Sequence, residues 1–175
     1  MHESAYKFVA RAVMQLPPRL RVLELGSRVV RGPWPYSGPV RPLFDGAEYV
    51  GLDAMPGEGV DEVGDAERWG PTPFRRFDTV VCTEVLEHAP GAAAICANAH
   101  RLLEPGGVLI LTAAGVGRAP HSSTDGGALR AGEFYRNVAE EELRGWLAPF
   151  GLALVDGFTA PGDLYALAVK LGEGP

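Results

Sequence analysis

The chain has 175 residues, 46% of them hydrophobic, two cysteines and a formal charge of −6. That length and apolar content predict one domain, residues 1–175, with its own core, and exclude a disordered tail or linker. Basic residues are scattered apart from Arg75 and Arg76, which argues against a broad nucleic-acid-binding face, and no apolar run approaches the ~20 residues of a membrane span.

The first element is a helix in which Tyr6, Phe8, Val9, Ala12, Val13 and Leu16 recur at mainly helical spacing, stopped by Pro17 and Pro18. The segment before and within it, MHESAYKFVARAV, lacks the apolar core of a signal peptide. Arg21 to Leu25 is a first strand. Between Ser27 and Phe44 the prolines and glycines forbid a long helix, leaving a loop with one turn near Leu43. Tyr49 to Asp53 is the second strand, Val60 to Val63 a short third, and Thr79 to Cys82 the fourth. A helix from Ala92 to Leu103 breaks at Glu104-Pro105-Gly106-Gly107, where Pro then Gly suits a type II turn, and Val108 to Ala113 is the fifth strand. The following GVGRAPHSSTDGGALRAGEFYRN is too long for an ordinary connection and reads as a binding loop or lid. Glu140 to Pro149 is a helix, and Leu152 to Phe158 and Leu164 to Lys170 are the last strands. Strands alternating with helices and ending in a hairpin give an α/β layered sheet. Cys82 in a buried strand and Cys96 in a helix form neither a disulfide framework nor a paired metal motif, so a reducing, cytoplasmic setting is expected.

The segment FDTVVCTEVLEHAP is the most informative. A strand suited to burial on both faces runs into Thr83, Glu84, Glu87 and His88, where open α/β sheets bind ligands. The plainer alternative is that Glu84 and Glu87 only favour a helix N-terminus. Glu24 and Gly26 end the first strand, Asp53 ends the second where it can accept from ribose hydroxyls, and Asp65 lies beyond the third, placed to accept from an adenine amino group. A dinucleotide needs a glycine-rich turn opening a helix, and Gly26-Ser27-Arg28 followed by prolines is a poor pyrophosphate cradle. Carboxylates of Glu24, Asp53, Asp65 and Glu84 converging on one crevice disfavour phosphates and favour a ligand with a sulfonium and an amino group, such as S-adenosylmethionine.

VLELGS, YVGLD, GDAE, FDTVVCTEVLEH and RLLEPGGVLILT stand in the order and spacing of the class I S-adenosylmethionine-dependent methyltransferases, which the chain resembles over nearly its whole length. The resemblance implies a three-layer Rossmann-like methyltransferase fold. Its sheet would have seven strands, mostly parallel, with an antiparallel terminal hairpin, and the cofactor S-adenosylmethionine over the ends of the first, second and fourth strands. It sets Glu24 and Gly26, with Ser27 and Arg28 beside them, near the methionine part, and Asp53 on the ribose. Ala54 and Met55 fall near the adenine, Asp65 and Ala66 at its edge, and Thr83 and Glu84 at the methyl end. The family's first loop usually carries two or three glycines opening a helix; here Arg28 and a proline-rich segment replace them, leaving Arg28 or Arg31 to pair with the cofactor carboxylate. Trp34 and Tyr36 either cap the cofactor or staple the loop onto the core.

Methyl transfer from a sulfonium depends heavily on positioning, so a dedicated base need not exist. The Asn-Pro-Pro-Tyr-type motif of amino-directed nucleic-acid methyltransferases is missing, as is the cysteine of cytosine-C5 enzymes. Glu84, Glu87 and His88 resemble the E-x-x-E-H pattern of ubiquinone-pathway O-methyltransferases and small-RNA terminal 2'-O-methyltransferases, which use a divalent metal; His121 would supply another ligand. Other family members carry this pattern without metal, and the favoured reading here uses none. His88 and His121 are then the candidate catalytic residues, His88 as a hydrogen-bonding group or general base. Arg118, Tyr135 and Arg136, with Ser122 and Asn137, would line a pocket for an anionic or hydroxyl-bearing acceptor. His2 and His100 read as surface or helix residues without a role. The leading expectation is a methyltransferase acting on oxygen or nitrogen of a small molecule. The alternatives are a nucleic-acid methyltransferase, metal-assisted at an RNA 2'-oxygen, and a non-catalytic S-adenosylmethionine-binding module.

Overall fold

The computed structural model of the chain describes residues 2–32, 38–158 and 162–172. Its sheet has seven strands: β1 (Arg21–Leu25), β2 (Glu48–Asp53), β3 (Glu62–Val63), β4 (Phe77–Thr83), β5 (Leu103–Ala114), β6 (Gly151–Phe158) and β7 (Asp163–Lys170). Their order is β3-β2-β1-β4-β5-β7-β6. The first five strands pair parallel, and β7 inserts antiparallel between β5 and β6. This is the mostly parallel sheet with an antiparallel terminal hairpin that the resemblance implies.

The period-two alternation of the strands divides the core into two layers. Leu23, Leu25, Val80, Cys82, Leu109 and Leu111 face α2 (Ala92–Leu102) and α3 (Glu140–Leu147), meeting Ile95, Ala99, Leu102, Leu143 and Leu147. Val22, Val81, Val108 and Ile110 face the other way, onto Val9 and Ala12 of α1 (Glu3–Gln15) and onto Val40 and Phe44. Every residue of β4 is buried, as its central place requires. On the second face, residues 28–32 and 38–40 are irregular and lead into a single 3-10 turn over Arg41–Phe44, the turn expected near Leu43. Trp34 and Tyr36 lie outside the described residues.

Some boundaries differ from expectation for identifiable reasons. β3 shrinks to Glu62–Val63, both exposed, because it pairs with β2 alone at the edge of the sheet. The Pro105-Gly106 turn does form, with Gly106 at φ 81, but inside β5: Phe77 pairs with Leu103 and Thr79 with Val108, so Glu104–Gly107 bulges out between them. Helix α3 ends at Leu147 and tightens into a 3-10 turn around Pro149. No helix among the described residues is long and apolar enough to cross a membrane.

The order reverses between β1 and β4, since β2 and β3 lie beyond β1 while β5 lies beyond β4. Such a switch point leaves a crevice at the carboxyl ends of the two strands. Gly26 opens it: its φ is 78, and a Cβ there would come within 2.2 Å of Val85 Cγ2, so the two strand ends approach this closely only because position 26 has no side chain.

Candidate functional site

A cavity of about 620 Å³ occupies this crevice, within the size range of small-ligand sites. Glu24, Gly26, Ser27, Arg28, Asp53, Ala54, Met55, Asp65, Ala66, Thr83 and Glu84 all line it. So do His88, Arg118 and His121. Sequence reasoning therefore assembled one site from four strand ends and the loop after β5. Tyr135 and Arg136 are not among the lining residues.

At the β1 and β2 ends, Glu24 is buried and accepts from the Tyr49 hydroxyl at 2.8 Å. Burial raises its pKa to about 7, against the opposing pull of the Tyr49 hydrogen bond. Asp53 is oriented by backbone donors, Met55 N–H to Oδ1 at 2.9 Å and Arg28 N–H to Oδ2 at 3.2 Å, which leave lone pairs for a ligand. Asp65 accepts from Glu67 N–H at 2.9 Å and pairs with Arg68 at the rim. The turn carrying Asp65 and Ala66 is held from behind by buried Asn98, whose amide donates to the carbonyls of Ala66 and Trp69, each at 2.9 Å. Asn98 had no sequence signature beyond being a polar residue inside an apolar helix.

Arg28 does something other than wait for an anion. Its guanidinium donates to the carbonyls of Ser123 at 2.9 Å and Thr124 at 3.5 Å, and its Nε lies 3.7 Å from Asp53. It thus ties the first loop to the long loop after β5. Arg31 is exposed and its Nη2 donates to both carboxylate oxygens of Glu58 at 2.9 Å, away from the cavity lining, so the expectation that it meets a cofactor carboxylate is corrected. The long loop is built rather than loose. Ser122 and Thr124 hydroxyls donate to Glu133 at 2.7 and 3.0 Å, Arg136 N–H donates to the Glu87 carbonyl at 2.8 Å, and Asn137 donates to the Arg118 carbonyl at 3.2 Å. The Arg136 side chain is half exposed and pairs with Glu142 at 2.8 Å, so the pocket role expected of it is also corrected. Tyr135 stands behind the cavity wall, its ring 5.4 Å from that of His88 and 5.1 Å from that of His121.

Beyond β4 the chain turns at Glu84, the non-glycine residue with positive φ, 56, among those described. Its Oε1 accepts from Thr112 at 2.9 Å and its Oε2 lies 3.0 Å from His2 Nε2. Burial works against this charge, but the His2 and Thr112 hydrogen bonds and the Arg118 guanidinium outweigh it and hold the pKa at about 2. Arg118 sits between Asp163, to which it donates, and Glu84 at 3.9 Å. Arg118 is thus engaged by two carboxylates on the protein side. His2, to which no role was assigned, lines the cavity. Nothing in the local sequence marks it, because only the packing of α1 under the sheet brings it there.

Glu87 is fully buried, and neither of its carboxyl oxygens has a hydrogen-bond partner among the described residues. Burial and the Glu84 charge push its pKa well above the ordinary carboxylate value. Burial, with His121 adding to it, lowers that of His88 to about 4, so its imidazole is neutral at neutral pH. Its ring is 4.9 Å from His121. Glu87, His88 and His121 each offer a ligand atom within 4.8 Å of the others, a grouping able to hold a metal ion. Glu84, the fourth member of the expected set, is not part of it, because its oxygens are taken up by Thr112 and His2.

Comparison with known proteins agrees with this fold. A ubiquinone biosynthesis O-methyltransferase of Pseudomonas paraeruginosa is 46% identical over 37 residues, a match covering 21% of this chain and 16% of that protein. The N-terminal domain of EvdMO1, crystallised in the presence of SAH and D-fucose, shares the fold with a TM-score of 0.69 at 17% identity, over 97% of this chain and 84% of that one. A Burkholderia thailandensis 1,6-didemethyltoxoflavin-N1-methyltransferase, with bound 1,6-didemethyltoxoflavin and S-adenosylhomocysteine, does so with a TM-score of 0.65 at 18% identity, over 97% and 80%. The profile of a family described as a methyltransferase domain matches residues 1–156. The chain belongs to this methyltransferase-domain family.

Proposed function

We propose that the protein is an S-adenosylmethionine-dependent methyltransferase that acts on an oxygen or nitrogen of a small molecule. The observation that carries this reading is the convergence of Glu24, Asp53, Asp65 and Glu84 on one cavity at the sheet's switch point. These carboxylates outnumber the two guanidiniums of the described lining, Arg28 and Arg118, a balance that favours a ligand with positive groups at its methionine end over one with added phosphates. The cavity fits the cofactor in chemistry as well as size. Asp53 has lone pairs for ribose hydroxyls, Glu24 can accept from an amino group, and Ala54, Met55 and Ala66 supply apolar contacts for the adenine. When bound, S-adenosylmethionine supplies an electrophilic methyl on its sulfonium. Thr83 and Glu84 border the methyl end, and His88 and His121 face the acceptor. With its pKa about 4, His88 is a weak base at neutral pH and acts best by accepting a hydrogen bond that orients the acceptor. The named relatives, which include an O-methyltransferase and an N-methyltransferase, support small acceptors. The buried free cysteines Cys82 and Cys96 support a reducing, cytoplasmic setting. A single continuous sheet supports reading residues 1–175 as one domain.

A second form of this reading rests on Glu87, His88 and His121, which would hold a divalent ion able to orient an acceptor hydroxyl and lower its pKa. Release of S-adenosylhomocysteine, followed over a panel of phenols, amines and short RNAs, tests both forms. We expect turnover with a small phenol or amine, unaffected by chelator, and a fall in kcat of about 10²-fold in His88→Ala with little change in cofactor affinity. Turnover abolished by chelator and restored by magnesium or manganese would favour the metal form. Turnover confined to RNA would overturn the small-molecule assignment.

A further inference from the structure

At the methyl end of the cavity, residues from four parts of the chain meet in one polar cluster. His2 precedes α1, Glu84 follows β4, Arg118 lies in the long loop and Asp163 opens β7. His2 is held on both ring nitrogens, with Nδ1 at 2.7 Å from Ser4 Oγ and Nε2 at 3.0 Å from Glu84 Oε2. The Arg118 Nη1 is 3.1 Å from the same Nε2, and Asp163 Oδ2 is 3.6 Å from it. Asp163 in turn accepts from the Tyr165 hydroxyl at 2.9 Å. Glu84 stands on a backbone conformation that its residue type rarely adopts, φ 56, which the surrounding structure must hold in place. Thr112 fixes one carboxylate oxygen and His2 the other.

We infer that His2 is a positioning residue, which holds the Glu84 carboxylate at the methyl end of the cavity so that the site favours a positively charged sulfonium over the neutral thioether left after transfer. The inference rests on the reading of this cavity as an S-adenosylmethionine site. This role requires His2 in the tautomer that accepts from Ser4 Oγ at Nδ1 and donates from Nε2; the ring then adds no charge, and the two carboxylates, Glu84 and Asp163, outnumber the one guanidinium, Arg118. A charge fixed in place before the ligand arrives needs no reorganisation when it does. Removing the His2 donor frees Oε2 to turn toward Arg118, where its charge is spent internally. The segment ahead of α1 is thereby part of the site, although no motif includes it.

The test is the ratio of dissociation constants for S-adenosylhomocysteine and S-adenosylmethionine, measured by calorimetry on the wild type, His2→Ala, His2→Gln, Glu84→Gln and the His2→Ala/Glu84→Gln double variant. Loss of the wall that His2 provides would weaken both ligands alike; loss of a fixed carboxylate weakens the sulfonium ligand more. We expect His2→Ala to shift the ratio against S-adenosylmethionine by about tenfold, the scale of one hydrogen bond to a charged group. His2→Gln, whose amide can still donate to Glu84, should keep most of the wild-type ratio. Glu84→Gln should shift it at least as far as His2→Ala does, and the double variant no further than Glu84→Gln alone. An unchanged ratio in His2→Ala, equal weakening of both ligands, or additive shifts in the double variant would overturn the inference. If the wild type binds neither ligand, it is the cofactor assignment that has failed instead.

Discussion

Glu24 shows how one residue's surroundings set a measurable property of the whole site. Its carboxyl is buried against Tyr49, and burial pushes its pKa up to about 7. If it receives the amino group of the cofactor, it must be ionised to do so, and binding then expels a proton below that pH. Cofactor affinity should therefore weaken as pH falls below 7, approaching about tenfold per unit, while Glu24→Gln should bind weakly with a flat profile over the same range. Titration calorimetry between pH 5.5 and pH 8 checks both limbs. Glu87 gives a stability signature of the opposite kind. Its folded-state pKa is raised above the ordinary 4.5, so the contribution of its protonated form is full below that value and is lost as pH rises through the folded-state pKa. In chelated protein, Glu87→Gln should match the wild type near pH 4 and gain about 1–2 kcal/mol by pH 8, read as a higher Tm, because Gln needs no proton to remain neutral. A difference in Tm independent of pH would contradict this account of Glu87.

At the scale of elements, what was legible in the chain followed from local physics. The fully buried β4 announced itself by a short apolar run, Phe77 and Val80 to Cys82, and the prolines between Ser27 and Phe44 ruled out a regular helix there, as residues 28–32 and 38–44 bear out. The bulge within β5 was half legible. Pro105-Gly106 dictated the turn, but only pairing with β4 decides that the strand resumes on both sides of it. His2, Asn98 and the engagement of Arg28 with Ser123 were not legible, because each joins segments far apart in sequence. Arg28 carries a prediction of its own. Its guanidinium is the tie between the first loop and the carbonyls of Ser123 and Thr124, so Arg28→Ala should loosen the loop without unfolding the sheet. Proteolytic cleavage within 116–132 should quicken several-fold, while global stability falls by less than ~1 kcal/mol, since loops open in units less stable than the core they are attached to. Equal cleavage rates would mean that the Ser122, Thr124 and Glu133 network holds the loop unaided.

Across the whole molecule, the crevice exists because the strand order reverses between β1 and β4, and its acidic lining exists because carboxylates end the strands on both sides of that reversal. The fold and the strand-end residues that line the cavity were readable because strand ends are local in sequence. The end of the cavity beyond β4 was read less well, since His2 reaches it from ahead of α1 and Arg118 is spoken for by Asp163 and Glu84. The central claim is that this acidic crevice is built for S-adenosylmethionine. Calorimetric titration of the wild type and Asp53→Ala with S-adenosylmethionine, S-adenosylhomocysteine and NAD tests it most directly. Saturable binding of the first two, no comparable binding of NAD, and a loss of roughly 1.5–3 kcal/mol in a folded Asp53→Ala variant are expected. Tighter binding of NAD, or an Asp53→Ala variant with undiminished affinity, would contradict it.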